Sequence, residues 1–280
     1  MKDAAQACFS APRAPDAPGA REVLGYFRSR RLRSAGLCAL VAAAVGLSAW
    51  ASGLMDFSRL SEGVPDFFSL VCEMLPPDFS KAAAWAGPVA DTLAMSVAGT
   101  ALAVALSLPL GFMAARNTSL NSAVYAAARL VLNLLRSIPE LIMGIIFVAA
   151  VGFGALPGVL ALGFHSVGMV GKFFAEAVEH VDPKPVEAAR AAGAGPLQCV
   201  LVAVLPQVVS QMADVAVYRW EYNFRASTVL GAVGAGGIGF ELIGSLRILE
   251  YREVSAIILV ILAMVTLVDA FGSKLRKMFK

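Results

Sequence analysis

A chain of 280 residues with 58% hydrophobic residues, 15% charged residues and a mean hydropathy of +0.73 is too apolar for an ordinary soluble domain. The formal net charge of +3 is small, and no nucleic-acid partner is expected. The four cysteines, Cys8, Cys38, Cys72 and Cys199, form no C-x-x-C pair, and only His165 and His180 offer imidazole, so neither a disulfide framework nor a metal site is expected.

Residues 1–33 read as a cytoplasmic tail, disordered over 1–20, where Pro12, Pro15 and Pro18 stand among alanines. Residues 34–55 are uncharged for 22 positions and residues 92–115 for 24. As helices these cover about 33 to 36 Å, enough to cross the hydrocarbon of a bilayer. The first follows Arg28, Arg30, Arg31 and Arg33 and ends near Ala49-Trp50-Ala51, so it also resembles a cleaved signal peptide. Its length favours a retained anchor. Residues 56–88 form an outer loop, since only Arg59 and Lys81 stand against six acids between 56 and 91. Further apolar segments near 130–151, 157–178, 207–229 and 254–270 bring the spans to six, five of them in a core at 89–275 ahead of a basic tail at 276–280. Basic residues before the first span, at Arg116, at Lys184 and Arg190, and at the end of the chain all fall on one side. That side is cytoplasmic, with both termini on it.

Ionisable groups inside spans are expensive and face a cavity, a partner or each other. Three stripes follow helical faces: Arg129, Asn133, Arg136 and Glu140; His165, Lys172, Glu176 and Glu179; and Ser210, Gln211, Asp214, Tyr218, Glu221 and Arg225. Arg136 with Glu140 and Glu221 with Arg225 are i, i+4 pairs that could neutralise each other, so pathway lining and structural pairing stand as equal readings. The candidate pathway residues are Arg136, Ser137, Glu140, His165, Lys172, Asp214, Tyr218, Glu221 and Arg225. Foremost is the break at Arg136-Ser137-Ile138-Pro139-Glu140, because proline frees backbone groups that must meet protein or a wet cavity.

Gly234, Gly236, Gly237 and Gly239 match the dinucleotide fingerprint by letter, yet no βαβ unit surrounds them. The preceding STVLGAVG reads as a short helix returning from the outer face. Gly171-Lys172 hints at a phosphate loop but fails, with Ser166 in place of the first glycine and Phe173 in place of Ser/Thr. No convergent catalytic set is evident, so no enzyme activity and no cofactor are expected of this chain.

Residues 182–206 are the most informative stretch. Asp182 suits a helix N-cap, Pro183 the first helical position and Glu187 the early turns; Gly193 stops the helix. Gly195-Pro196 starts a second short helix that Pro206 is expected to interrupt. Being apolar all round, that second helix is expected to be covered on most sides. Glu187, Ala188, Ala189, Gly193, Leu205 and Pro206 stand at the positions of the E-A-A, G and L-P signature of permease subunits of ATP-binding-cassette importers, with Ala203 where that pattern has isoleucine. The run resembles that family's ATPase-coupling loop.

RSIPEL at 136–141, GVLALGFHSVGMVGKFFAEAVE at 158–179 and YRWEYNFRASTVLGAVGAGGIG at 218–239 narrow the resemblance to phosphonate-type permeases, related to those for phosphite. The likeness covers roughly residues 90–275. It implies an all-α polytopic helical bundle of the type I importer permease kind, with about six transmembrane helices and a cytoplasmic coupling loop. It further implies a homodimer, a cytoplasmic ATPase dimer carrying ATP and magnesium, and an extracytoplasmic substrate-binding protein. The substrate is then an organophosphonate first and phosphite second. Alternatives are a methionine-type importer permease and, from another class, a secondary transporter that works without ATP.

Overall fold

The computed structural model describes residues 18–279, which contain eleven α-helices and no strand. The chain divides into two units, residues 1–69 and 70–280. In the first unit, helix α1 (Pro18–Ala51) begins well before the expected span, so residues 18–20, expected to be disordered, are helical. Arginine, leucine and alanine, strong helix formers, extend the apolar segment backwards. Residues 1–17, including Cys8 and the rest of the predicted tail, lie outside the described residues. Leu37, Leu40, Val45, Leu47 and Trp50 on α1 are all exposed, as befits a lipid-facing helix. The predicted outer loop holds a second helix, α2 (Phe57–Glu73), started by Asp56, whose carboxylate accepts from the Arg59 amide at 3.3 Å.

The second unit is built around α3 (Ala86–Met113) and α6 (Ala155–Glu179), the most extensively packed helix pair. Their backbones approach at Gly99 and Gly111, where a Cβ would fall 2.9 Å from Leu162 Cβ and 2.8 Å from Phe174 Cβ. Small residues permit such contact where no hydrophobic gain separates helix from lipid. Ala103, Val167, Val170, Phe174, Val208 and Met212 fill one core cluster, and Met95, Met143, Leu162 and Leu230 another.

The third predicted span is not one straight helix. Helices α4 (Ser122–Ser137) and α5 (Glu140–Val151) meet at 89°. Ser137 Oγ caps the end of α4 by donating to the Asn133 carbonyl at 2.7 Å, Ile138 is extended, and Pro139 prevents continuation. Among the described residues five helices are long and apolar enough to cross a membrane, six if the bent pair counts as one.

Three expectations fail beyond residue 182. Helix α7 (Pro183–Ala191) forms as predicted, but Pro206 does not interrupt the helix after it. Helix α8 (Pro196–Cys199) runs through a π-helical turn (Val200–Val204) into α9 (Leu205–Leu230). The π turn lets the Leu205 amide reach the Val200 carbonyl, and Pro206 then occupies the first turn of α9, where its missing N–H breaks no bond. The apolar second element is covered on one side only: Cys199, Ala203 and Val204 are buried while Leu197 and Val202 are each 71% exposed. Residues 227–230, expected in a separate returning helix, complete α9, and a 3₁₀ turn (Gly231–Val233) comes next. The glycine-rich loop then takes positive φ at Gly234, Gly236 and Gly237 and hands over to α10 (Ile238–Arg247), whose first amide donates to Thr92 Oγ1 at 2.9 Å. It is a packing turn. The chain closes on α11 (Tyr251–Met278).

Candidate functional site: a polar cluster inside the bundle and an exposed helix-turn-helix

The bend between α4 and α5 frees the Ile138 carbonyl, and His165 Nδ1 lies 3.1 Å from it. A carbonyl only accepts, so Nδ1 carries the hydrogen and a neutral ring turns the Nε2 lone pair outward. Nε2 is 3.9 Å from Glu140 Oε2. The other carboxylate oxygen, Oε1, accepts from the Tyr222 hydroxyl at 3.4 Å. Glu140 and His165, predicted on separate stripes, are thus brought together. Glu140 does not pair with Arg136, because the 89° bend carries the two apart despite their i, i+4 spacing. Arg136 and Ser137 are exposed beside the bend, and Arg136 makes no hydrogen bond or ion pair among the described residues.

Beside this pair stands a residue absent from the predicted stripes. Arg219, on α9, is 1% exposed. Its Nε donates to Ser166 Oγ at 2.7 Å, Nη1 approaches Met169 Sδ at 3.3 Å, and its guanidinium carbon lies 4.3 Å from the centre of the Tyr222 ring. A directional chain continues: Ser166 Oγ donates to Asn223 Oδ1 (3.0 Å), Asn223 Nδ2 to Thr100 Oγ1 (2.9 Å), and Thr100 Oγ1 to the Ser96 carbonyl (2.7 Å). Each donor fixes the next, which holds the arginine from behind. Two buried polar atoms in this cluster lack a hydrogen-bond partner among the described residues: Arg219 Nη2 and Glu140 Oε2.

The remaining pathway candidates sort elsewhere. Lys172 pairs with Glu176 at 3.6 Å, both about 40% exposed, and Glu179 receives Arg129 at 2.9 Å. On α9, Asp214, Glu221 and Arg225 face α11. Arg276 Nη1 donates to Glu221 Oε1 at 2.6 Å and its Nε is 4.0 Å from Asp214, while Arg225 meets Asp269 at 2.8 Å. Glu221 and Arg225, candidates for pairing with each other, instead pair across to the next helix; that stripe is a helix-to-helix ladder. Tyr218 is exposed at 52%.

The helix-turn-helix at 182–206 is built from local signals. Asp182 accepts from the Lys184 amide at 3.0 Å, Pro183 opens α7, and Gly193 takes φ +86° after its end. The Gly193 and Ala194 amides satisfy the Arg190 and Ala189 carbonyls at 2.9 and 3.0 Å. Glu187, Ala188 and Gly193 are exposed, and no residue of α7 is buried. Gln207, next to Pro206, clamps the element by accepting from the Asp182 amide (2.9 Å) and donating to the Ala203 carbonyl (2.7 Å). A cleft of about 680 Å³ lies alongside, lined by Phe112, Asn117, Val186, Arg190, Leu197 and Cys199 among others.

Comparison with known proteins matches this architecture. The family of binding-protein-dependent transport system inner membrane components matches residues 107–279. A crystal structure of the MetNI methionine ABC transporter in inward-facing conformations superposes with a TM-score of 0.62 at 22% identity, over 70% of this chain and 96% of that one, which shows the fold. Among sequence relatives, the phosphite transport system permease protein PtxC of Stutzerimonas stutzeri is 67% identical over 248 residues, 89% of this chain and 90% of its own. The phosphate-import permease protein PhnE of Mycolicibacterium smegmatis is 44% identical over 82% of this chain and 43% of its own. By fold a type I ABC importer permease, the chain belongs to the binding-protein-dependent transport system inner membrane components, in the branch of phosphonate- and phosphite-type permeases. It is a multi-pass inner-membrane component of a binding-protein-dependent transport system.

Proposed function

We propose that this chain is the membrane permease of an ATP-driven importer for a small phosphorus oxyanion, phosphite or an organophosphonate. The 67% identity to a phosphite permease across nearly its full length carries the substrate class. Both termini lie in the cytoplasm, on the face defined by the basic residues, and residues 182–206 dock on the ATPase, which holds ATP and magnesium; no cofactor is assigned to this chain. The exposed, capped helix with its glycine turn supports the docking role, since a receptor groove can take it without unpacking the bundle. Exposed Arg136 beside the bend supports a homodimer with the pathway between two copies. An unpaired cation facing lipid costs roughly 2.5–3.5 kcal/mol or more, whereas a wet cavity between protomers hydrates it.

The test is growth on phosphite or methylphosphonate as sole phosphorus source in a strain without redundant importers. Deleting the chain should abolish such growth and leave growth on phosphate intact. Unchanged growth on both compounds rejects the assignment.

A further inference from the structure

We propose that Arg219 and Glu140 form a transport site for an oxyanion that still carries one acidic proton, with P–O⁻ accepting from Arg219 Nη2 and P–OH donating to Glu140 Oε2. This rests on the reading of the chain as a phosphorus-oxyanion permease and specifies where inside the bundle the anion passes.

What each orphan atom lacks is chemically definite. Arg219 is sealed from solvent, its Nε and Nη1 are engaged by neutral groups, and among the described residues no carboxylate lies within 4.0 Å of it. A buried guanidinium with no carboxylate in contact and one nitrogen unbonded is unfavourable, so the missing partner of Nη2 is an acceptor, best an anion. Glu140 Oε2 lacks the opposite. His165 Nε2, 3.9 Å away, is beyond hydrogen-bond reach and, with Nδ1 committed to Ile138, has no hydrogen to give when neutral. The missing partner there is a donor.

One side chain links the two vacant valences: Tyr222 lies under the Arg219 guanidinium and donates its hydroxyl to Glu140. A hydrogenphosphite or hydrogenphosphonate monoanion carries an acceptor and a donor on neighbouring oxygens of one phosphorus. Sulfate carries acceptors only and would set an oxygen against the carboxylate. Arg219 is held by the chain of donors through Ser166, Asn223 and Thr100, so the site is organised before the ligand arrives. The pair sums to zero charge, which suits a carrier that must release its cargo. Glu140 and His165 keep 21% and 13% side-chain exposure while Arg219 is sealed, so entry lies on the Glu140 side, next to the 89° bend.

The permease–ATPase complex in nanodiscs, without binding protein, tests this by ³¹P NMR line broadening of methylphosphonate. Sulfate and monomethyl methylphosphonate, a monoanion without P–OH, serve as competitors. Wild type should broaden methylphosphonate saturably and prefer it over either competitor by about tenfold or more, because a site built to accept a hydroxyl proton rejects an analogue lacking it. Arg219→Gln should abolish the broadening. Glu140→Gln, whose amide can donate to the ester oxygen, should bring acid and ester to within about threefold. If Arg219→Gln fails to assemble, Glu140→Gln decides alone. No saturable broadening by wild type, equal acid and ester on wild type, or a tenfold preference retained in Glu140→Gln overturns the site. ATP-driven uptake with the binding protein present separates the two levels. Import of phosphite or methylphosphonate alongside any of those results leaves the permease reading standing without this site; import of neither removes both.

Discussion

Helix α9 carries charge on two faces, and the two are finished differently. Towards α11 every charge has an opposite: Glu221 and Asp214 share Arg276, and Arg225 holds Asp269. Towards α3 and α6, Arg219 is still more deeply buried, has no carboxylate within 4.0 Å among the described residues, and leaves one nitrogen without a hydrogen-bond partner. Glu221 and Arg219 are both buried, so burial does not separate structural from functional charge here. Satisfaction does. A completed ladder joins helices; an incomplete one waits for something that comes and goes.

The most severe way to probe this contrast is Glu221→Lys, which sets a second cation against Arg276 in a nearly closed site. Breaking a buried pair costs about 3–5 kcal/mol, so the variant should be depleted from the membrane, measured by immunoblot and by thermal unfolding in detergent. Gly272 packs so tightly on Glu221 that Gly272→Val should act in the same direction. By contrast, Arg219→Gln should lose flux out of proportion to protein. If it instead depletes the protein as Glu221→Lys does while flux per molecule stays normal, the two faces are alike and the distinction fails.

A smaller but cleaner effect is expected outside the bundle. Gly193→Val forces a β-branched residue to φ +86°, a left-handed geometry whose strain is of order 1–3 kcal/mol or more. Insertion should be normal, while substrate-stimulated ATP hydrolysis of the reconstituted complex should fall by about tenfold. Normal stimulation would remove 182–206 from the coupling role. Asp182→Ala removes only the cap, worth about 1 kcal/mol, and should lower stimulation by a few-fold at most.

The least effect concerns pH. The hydrogen bond and charge of the Glu253 carboxylate, 2.7 Å away, raise the Lys81 ammonium above the ordinary lysine value. A raised pKa adds stability that is complete below the unfolded value and is lost only as pH rises through the folded one. Asp78 is shifted the other way, downward, chiefly by the hydrogen bond from the Ser80 amide, so its contribution is lost only as pH falls through its lowered value. The junction before α3 should therefore hold its thermal midpoint across about pH 5 to 9. A transition within that window, tracked by hydrogen exchange of residues 78–85, would contradict both shifts.

Legibility in the sequence tracked the range of the interactions. The cap at Asp182, the proline after it and the turn at Gly193 are decided within a few residues, and the structure keeps all three. The break at Ile138-Pro139 is equally local, though its 89° consequence is not, because the angle depends on where α5 packs. Pro206 misleads because a proline reads as a stop unless a π turn precedes it, and no residue pattern announces that turn. Arg219 escapes notice for a different reason. A polar stripe through Tyr218 and Glu221 is visible, whereas the buried face runs Val208, Met212, Arg219, Asn223, Ala226, Leu230, a largely apolar helical repeat in which an arginine and an asparagine take apolar positions. That intrusion is a signal in the sequence. The partners Ser166 and Thr100 are not, since Ser166 lies 53 places from Arg219 and Thr100 lies 123 places from Asn223.

The π turn that spared α9 from Pro206 also makes it a lever. From Pro196 to Val233 the chain is helical throughout and spans 38 residues, so no loop separates α8 from the guanidinium, and only the turn at Gly193 sets α7 apart. Between Pro196 and Arg219 the arm is ~35 Å at 1.5 Å per residue. On the proposed docking of 182–206, a tilt imposed at the Pro196 end swings Arg219 relative to α5 and Glu140 without any relay of side chains. The stroke that widens or narrows the gap between these two groups is then set by the angle of one rod.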